Sequence, residues 1–272
     1  MERVIAWKDR PLIMGVLNVT PDSFFDGGKH NTTEEAIRHA LSMIDEGADI
    51  IDVGGESTRP FSEPVPVEEE LKRVIPVVEG IRARSDSIIS IDTYKAKVAR
   101  EACNAGADIV NDISGLSFDR DMADTVCDFG VHTVIMHIKG TPGNMQKDPH
   151  YEDVISEIKA FFRERIEFAK NHGIAVERII LDPGIGFGKR IQDNLAIIKN
   201  LRAFKDLEMP LLIGTSMKSF IGHVTDSQLE DRMEGTLASI AVSIWNGADI
   251  VRVHDVKSAR KVVRLVSAIM KA

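Results

Sequence analysis

Cysteine is scarce in this sequence, and its scarcity excludes a metal site built on cysteine. The 272 residues contain only Cys103 and Cys127. Both fall in segments with helical patterning, and they do not have the spacing of metal ligands. We therefore expect two reduced thiols in an intracellular protein.

Long hydrophobic stretches are also missing. No apolar run approaches the ~20 residues that a helix needs to cross a bilayer. The N-terminal sequence, which starts with Met-Glu-Arg-Val at 1–4, lacks the hydrophobic region of a signal peptide. We expect no association with a membrane, and we predict that the protein is cytoplasmic.

An excess of positive charge is absent as well. The 34 lysines and arginines are outnumbered by 42 aspartates and glutamates, which gives a formal net charge of -8. Such a chain is repelled by a nucleic-acid backbone, so we expect no nucleic-acid partner. A local group of arginines and lysines could still bind a small anion.

A short phrase, Gly-Ala-Asp-Ile, occurs three times, at 47–50, 106–109 and 247–250. Each copy follows a run with helical patterning, and its glycine stands where a helix ends in the left-handed region. A β-branched run typical of a buried parallel strand comes next. The three copies therefore indicate a repeated β/α unit, and each strand ends in a different polar group.

The same alternation runs through the whole chain. The predicted strands are 12–18, 49–55, 88–92, 108–113, 132–138, 179–182, 211–215 and 249–254. The predicted helices are 33–46 with Thr32 or Thr33 as N-cap, 67–84, 94–104, 121–129, 153–172, 194–207, one helical stretch ending at Trp245 and one beginning at Ser258.

About eight such pairs close a (β/α)8 TIM barrel. With 43% hydrophobic and 6% aromatic residues the chain can bury a substantial core, and no linker marks a second domain, so we predict a single domain over 1–272. An open doubly wound sheet is the alternative. It is disfavoured because no Gly-x-Gly-x-x-Gly fingerprint follows the first strand.

Polar residues end nearly every predicted strand, and in a closed barrel these ends meet at one mouth. They are Asn18, Asp52, Asp92, Asn111, His137, Asp182, the region of Lys218, Arg252 and His254. A lone buried Asp or Asn at such a place usually caps a loop. So many together favour a binding site, because burying them costs free energy unless a ligand satisfies them.

The types of these residues divide the site into two halves. Asp and Asn suit a heterocycle with several N–H donors and a carbonyl. An anionic leaving group suits the basic side chains of the site, which are Arg59, Lys218, Arg252 and His254.

Two motifs allow a second interpretation. His137 could be a metal ligand, but it has no His or Cys partner at ligand spacing, so a packed histidine is favoured. The segment Gly184–Lys189 is rich in glycine like a phosphate loop. Its spacing is not that of a P-loop, and we interpret it as a loop with close backbone approach.

The motifs at and around these strand ends are, in order, 15–24 (GVLNVTPDSF), 52–60 (DVGGESTRP), 90–93 (SIDT), 111–113 (NDI), 136–137 (MH), 182–189 (DPGIGFGK), 218–219 (KS) and 252–255 (RVHD). Together and in this order they resemble those of the dihydropteroate synthases, a family of pterin-binding barrels, over essentially the full length. The clearest departure is Met217, where the family most often has an arginine before the lysine. A methionine cannot form the salt bridge of that arginine.

The resemblance implies a transferase that condenses 6-hydroxymethyl-7,8-dihydropterin diphosphate with 4-aminobenzoate to give 7,8-dihydropteroate and pyrophosphate, in folate biosynthesis. It implies magnesium as cofactor, with Asn18 as a metal ligand, and a homodimer. The catalytic residues it implies are Lys218, Arg252, Asp92 and Asp182.

The resemblance also assigns the binding residues of each substrate. The pterin would be held by Asp92, Asn111, Met136, Asp182, Phe187 and Lys218. The pyrophosphate would be bound by Asn18, Arg59, Arg252 and His254. The aminobenzoate site would be bordered by Thr58, Pro60, Phe187, Lys218 and Ser219.

The chemistry of these groups favours departure of pyrophosphate before the amine attacks. The leaving group is an anion that cationic groups stabilise, whereas the aromatic amine is a weak nucleophile without an obvious base.

Two rival functions remain. A methyltransferase that binds methyltetrahydrofolate shares the pterin-holding residues but does not need the anion site, and a corrinoid partner would reveal it. A pterin-binding module without activity would bind pterin without turnover.

Overall fold

The structure is a computed structural model that describes residues 5, 7, 9–20, 29–58 and 62–272, with the backbone alone for residues 29–32. Its centre is a sheet of eight parallel strands. They are β1 (Leu12–Asn18), β2 (Ile50–Gly54), β3 (Ile88–Asp92), β4 (Ile109–Asp112), β5 (His132–Met136), β6 (Ile179–Asp182), β7 (Leu212–Ile213) and β8 (Ile250–Val253). The predicted strands agree with these within two residues at each end.

The sheet closes on itself between β6 and β7. The strand order runs from β6 back to β1 and continues through β8 to β7. Leu181 forms a parallel bridge with Leu211, and its N–H donates to the carbonyl of Pro210 at 2.9 Å. The described residues therefore form a (β/α)8 barrel, as the sequence predicts, and the open doubly wound alternative is wrong.

Helices surround the barrel and alternate with its strands. Among the described residues they are α1 (Lys29–Glu46), α2 (Val67–Arg82), α3 (Ala96–Asn104), α4 (Met122–Phe129), α5 (Val154–Asn171), α6 (Ile191–Lys199), α7 (Ser219–Thr225), α8 (Met233–Trp245) and α9 (Val256–Lys271). None of them combines the length and the hydropathy needed to cross a lipid bilayer.

The predicted start of the first helix is wrong. The helix begins at Lys29, so Thr32 and Thr33 both lie inside it and neither is the N-cap. The single helical stretch predicted before Trp245 is also wrong, because Asp226 adopts the left-handed region at φ 53° and ends α7. A short 3-10 turn, Leu229–Asp231, then precedes α8.

The predicted helix 194–207 is two segments. It begins earlier, at Ile191, because the Arg190 N–H donates to Oδ2 of Asp193 at 2.9 Å and caps the first turn. It ends at Lys199, after which the side-chain amide of Asn200 donates to the carbonyl of Ala196 at 2.8 Å. A 3-10 helix, Leu201–Leu207, follows.

Apolar side chains fill the amino end of the barrel interior. This cluster consists of Ile5, Leu12, Met14, Ile50, Ile109, Val134, Ile180, Leu212 and Ile250. A second and larger cluster lies between the sheet and the helices. Because the amino end is packed with aliphatic side chains, the polar strand ends meet at the opposite, carboxyl end.

The aspartate of the repeated phrase has one structural role in all three copies. Each carboxylate accepts a hydrogen bond from a main-chain N–H at the start of the preceding strand. The pairs are Asp49 with Ile13 (2.9 Å), Asp108 with Ile89 (2.9 Å) and Asp249 with Leu211 (2.7 Å). Each carboxylate also bonds a cationic side chain, from Arg10, Arg82 and Lys205 respectively.

The glycine of the phrase behaves as predicted. Gly47, Gly106 and Gly247 have φ of 107°, 111° and 103°, a conformation that side chains rarely adopt. Their positive φ lets the chain turn from the helix into the next strand. The aspartate that follows is then placed to accept the hydrogen bond from the neighbouring strand. The repeat is therefore a structural device at the amino end, remote from the polar mouth.

We predict that Asp108→Ala lowers the free energy of unfolding by about 2–3 kcal/mol, because it leaves the Ile89 N–H in the barrel wall without its acceptor. Arg82 keeps its bonds to the carbonyls of Gly106 and Ser87. Urea unfolding at pH 7 measures the effect. The control is Asp45→Ala, at an exposed position of α1, which should change stability by less than about 0.5 kcal/mol. Equal losses in the two variants would show that the repeated aspartate is not structural.

Candidate active site

The polar residues of the mouth occupy the carboxyl ends of their strands. Asn18, Asp92 and Asp182 are the last residues of β1, β3 and β6. Across the sheet, Asp92 lies beside Asn111 and Met136 lies beside Asp182. The closed barrel thus gathers groups from strands that are far apart in the sequence.

A hydrogen-bonded network joins four of these residues. The Nε of Arg252 donates to Oδ2 of Asp52 at 2.6 Å, and its Nη2 donates to Oδ2 of Asp92 at 2.7 Å. The side-chain amide of Asn111 donates to both carboxylate oxygens of Asp52, at 3.3 and 3.1 Å. Asp52 therefore connects the guanidinium to the amide, a role that sequence reasoning did not assign to it.

The network fixes which atoms a ligand can use. The amide nitrogen of Asn111 is held by Asp52, so its carbonyl oxygen is the atom that can accept a bond from a ligand. One oxygen of Asp92 is held by Arg252. The other, Oδ1, is buried without a hydrogen-bond donor among the described residues. Such an orphaned acceptor is costly unless a ligand supplies the donor.

Burial governs the protonation of both carboxylates at the mouth. Burial raises the pKa of Asp92 to about 7; the charge of Arg252 lowers it, and the charges of Asp52, Glu70 and Asp112 raise it further. Burial also raises the pKa of Asp182 to about 6, opposed by the Gly184 N–H, Lys218, Arg252 and Lys189. Carboxylates that titrate near neutrality inside a mouth are typical of functional sites.

A lysine and an aromatic ring define another side of the mouth. The Nζ of Lys218 lies 4.4 Å from the ring centroid of Phe187, a cation–π contact. Phe187 belongs to the segment Gly184–Lys189, where a Cβ on Gly184 would meet the His137 carbonyl at 2.1 Å. The interpretation of this segment as a loop of close backbone approach is confirmed.

The remaining residues of the predicted anion and aminobenzoate sites are more exposed. His254 is exposed, and its Nδ1 lies 3.0 Å from Oγ of Ser216. Ser219 is the exposed first residue of α7, and Thr58 is half-buried after β2. Arg59 and Pro60 lie outside the described residues, so their predicted roles stay predictions.

Met217 has its own arrangement in this chain. It adopts a φ of 59°, its N–H donates to Oγ1 of Thr236 at 3.0 Å, and its carbonyl accepts a bond from Arg232 at 3.1 Å. Arg232, at the start of α8, therefore brings a guanidinium to position 217, where the family most often has an arginine.

His137 is packed, as the sequence favours. Its ring contacts Phe161 edge to face at 4.9 Å, and its Nδ1 lies 3.0 Å from Nζ of Lys189. Burial, together with the charges of Lys189 and Lys139, lowers the pKa of His137 to about 2. Among the described residues no group of three His, Cys, Asp or Glu side chains is placed to hold a metal ion.

Comparison with known proteins agrees with this geometry. Residues 14–254 match the family described as pterin binding enzyme. The dihydropteroate synthase of Escherichia coli is 46% identical over 262 residues, which cover 96% of this chain and 93% of the relative.

Two solved structures of Xanthomonas albilineans dihydropteroate synthase superpose closely. One, with 4-aminobenzoic acid, is 43% identical with a TM-score of 0.91, and the match covers 97% of this chain and 94% of the other. The second, in complex with 7,8-dihydropteroate, is 40% identical with a TM-score of 0.90, covering 99% and 97%.

The barrel and its polar mouth thus define a pterin-binding enzyme. Within that class, the chain belongs to the dihydropteroate synthase family, because identity above 40% extends over nearly its whole length.

We predict that Asp182→Asn stabilises the folded protein at pH 8. The pKa of Asp182 is raised in the folded state, so its ionisation costs folding free energy that builds up as the pH rises from about 4 to about 6 and is fully present at pH 8. Asparagine cannot ionise but keeps an oxygen for the Gly184 N–H, which donates at 2.7 Å. The expected gain is about 1–3 kcal/mol at pH 8 and about a third of that at pH 4.5, measured by urea unfolding. An equal change at both pH values, or a change matched by the exposed-site control Asp45→Asn, would contradict the assignment.

Proposed function

We propose that this enzyme condenses 6-hydroxymethyl-7,8-dihydropterin diphosphate with 4-aminobenzoate, releasing pyrophosphate and forming 7,8-dihydropteroate. The observation that carries the proposal is the buried Oδ1 of Asp92, an acceptor without a donor beside the amide of Asn111. A ring with adjacent N–H groups supplies the missing donors. Membership of the synthase family and the likeness to a synthase that binds 4-aminobenzoic acid support the choice of substrates.

The pterin lies, in this proposal, between the strand ends of β3, β4 and β6. Asp92 and Asp182 accept bonds from its ring N–H groups through carboxylates, and Asn111 accepts through its carbonyl. Met136, buried at the end of β5, and the ring of Phe187 contact the faces of the heterocycle. Lys218 bonds an acceptor atom of the ring and borders the aminobenzoate site together with Thr58, Pro60 and Ser219.

The pyrophosphate group lies against Arg252, His254, Arg59 and Asn18. Arg252 is 22% exposed even though two of its nitrogens bond carboxylates, so its outer face can reach phosphate oxygens. Asn18 offers a side-chain oxygen at the end of β1, which suits magnesium because that ion takes few protein ligands when phosphates and water supply the rest. When bound, magnesium neutralises charge on the leaving group.

The carbon–oxygen bond to pyrophosphate breaks before the amine attacks. Arg252, Arg59 and His254 stabilise the departing anion. The positive charge that develops on the pterin methylene is delocalised into a ring held by Asp92 and Asp182, whose carboxylates offset it. The aminobenzoate nitrogen then attacks the methylene carbon and loses a proton.

We also propose that residues 1–272 form one domain, that the protein acts in the cytoplasm, and that it is a homodimer without nucleic-acid or membrane partners. Support for the dimer comes from large apolar side chains exposed on neighbouring helices, Leu195 on α6 and Val242 and Trp245 on α8, which are 42%, 47% and 53% exposed. Clustered apolar exposure of this kind marks interfaces.

The first test is turnover. With magnesium, the pterin diphosphate and 4-aminobenzoate, the protein is expected to form pyrophosphate and dihydropteroate in equal amounts. Asp182→Asn should weaken binding of the pterin diphosphate at least about tenfold, because an amide cannot replace a charge-assisted acceptor, whereas Asp45→Asn should not change it. Tight pterin binding without turnover would favour a pterin-binding module, and a requirement for a corrinoid partner would favour a methyltransferase.

The order of bond changes has its own test, positional isotope exchange. Pterin diphosphate labelled with 18O at the oxygen that joins the methylene carbon to phosphorus is incubated with enzyme and magnesium while aminobenzoate is withheld. Cleavage before attack predicts that the label scrambles into non-bridging positions as the bound pyrophosphate rotates. Absence of scrambling, together with a nitrogen isotope effect from aminobenzoate, would show concerted displacement.

A further inference from the structure

Lys189 is a buried lysine at the mouth that takes no part in the proposed reaction. Its side chain is only 3% exposed. Its Nζ lies 3.0 Å from Nδ1 of His137, 3.2 Å from the His137 carbonyl and 3.0 Å from the Phe187 carbonyl. These three partners are neutral, and they match the three N–H donors of an ammonium group.

Two of the three bonds, those to His137, join two loops that border the mouth, and the third holds the Phe187 carbonyl within the segment that contains Lys189. His137 follows directly after β5, and Phe187 lies on the glycine-rich segment after β6. Two further bonds join the same loops: Nε2 of Gln146 donates to the Gly186 carbonyl, and the hydroxyl of Tyr151 donates to the Gly188 carbonyl, both at 2.7 Å. Lys189 differs from these two because it holds the peptide of Phe187 itself.

The glycines of the segment make this contact possible. A Cβ on Gly184 would lie 2.1 Å from the His137 carbonyl oxygen, and one on Gly188 would lie 2.4 Å from the Lys139 carbonyl oxygen. The two loops therefore pack main chain against main chain. Nζ of Lys189 lies within 3.2 Å of two main-chain carbonyl oxygens at this junction, those of His137 and Phe187, and an ammonium there offsets their negative partial charge.

We propose that Lys189 is a positioning residue for the reaction. Its ammonium holds the Phe187 peptide against His137 and thereby places the Phe187 ring opposite Lys218, where the pterin and aminobenzoate sites meet. This inference rests on the function proposed above. Lys189 therefore has a structural role at the end of the segment Gly184–Lys189, although this segment does not have the spacing of a phosphate loop.

The charge of Lys189 has a second effect, on Asp182. Lys189, Lys218 and Arg252 all lower the pKa of Asp182, which burial raises. Burial lowers the pKa of Lys189 itself to about 7; Asp182 and Asp193 oppose this shift, and Lys218 and Lys139 add to it. Removing the ammonium should therefore raise the pKa of Asp182 further and make the ionised, pterin-binding carboxylate less populated at neutral pH.

The test is Lys189→Met, which keeps the length and apolar stem of the side chain and removes the charge and the three bonds. We expect a KM for the pterin diphosphate and for 4-aminobenzoate raised at least about tenfold, because a misplaced ring weakens both sites. The acidic limb of kcat/KM for the pterin diphosphate should move up by about half a pH unit. Calorimetric binding of the pterin diphosphate at pH 6.5 and 8 checks these effects without turnover, and the loss of affinity should be larger at pH 6.5, because Lys189, with a pKa of about 7, is mostly charged there and mostly neutral at pH 8.

The matched control is Lys199→Met, at the exposed carboxyl end of α6, which makes the same substitution and removes the same charge away from the mouth. It should leave both KM values and the pH profile unchanged. A folded Lys189→Met protein with wild-type KM values, pterin affinity and acidic limb would overturn the proposal.

A second pair of variants tests the contact if Lys189→Met does not fold. His137→Asn keeps an acceptor near the position of Nδ1, and His137→Leu removes it, while both lose the contact with Phe161. The proposal predicts a higher KM for the pterin diphosphate in His137→Leu than in His137→Asn. Equal values would overturn it. Because wild-type turnover is measured in the same series, an inactive wild type would contradict the proposed function, whereas an active wild type with unaffected variants would contradict only the role of Lys189.

Discussion

The buried ion pairs of Arg252 with Asp52 and Asp92 are the constraint on which the rest of the mouth depends. The side chains of the two aspartates are 0% and 9% exposed, and that of the arginine is 22% exposed. Ions removed from water to this extent persist only when their partners are close and well oriented. Burial alone lowers the pKa of Arg252, but Asp52 and Asp92 raise it above its ordinary value, so the guanidinium stays charged.

In the proposed function, this interaction joins two halves of the site with opposite requirements. The half proposed to bind the pterin needs acceptors, and the half proposed to bind the anion needs a cation. Arg252 supplies the cation and also holds Asp92 in place, while Asp52 holds both Arg252 and Asn111. The guanidinium bonds only one oxygen of Asp92, so a ring N–H can bond the other without displacing the arginine. The arrangement is therefore complete before substrate arrives, which lowers the cost of reorganisation.

Much of the fold could be predicted from the sequence because its signals are local. The Gly-Ala-Asp-Ile phrase marks the turn from helix to strand, and the positive φ of Gly106 agrees with it. Helix ends were less predictable, since a cap depends on which donor a side chain reaches. The first helix begins before Thr32 and Thr33. The capping bond to Asp193 gives α6 a start that its periodicity alone did not indicate.

Which residues lie at the mouth could also be predicted, because the strand ends of a closed barrel must meet. Which of these residues bond to one another could not. Arg252 bonds partners 200 and 160 positions away, and no spacing in the sequence shows which carboxylate it chooses. The same holds for Arg232, which reaches Met217 from the next helix. Lys189 was visible as the end of a motif, yet only the packing of two loops reveals what its ammonium contacts.

The most direct test of this account is the proton balance of ligand binding. The pterin alcohol, which lacks phosphates, is titrated into the protein by calorimetry in buffers of different ionisation enthalpy between pH 5.5 and 8.5. Because burial raises the pKa of Asp92 to about 7 and that of Asp182 to about 6, while the proposed binding of the ring requires ionised carboxylates, binding should release most protons at pH 5.5, fewer at pH 7 and few at pH 8.5. The Asp182→Asn variant should release fewer protons than the wild-type protein, because only one of the two titrating carboxyls remains. Binding without proton release across the whole range would contradict a site in which buried carboxylates, held by one arginine, receive the ring.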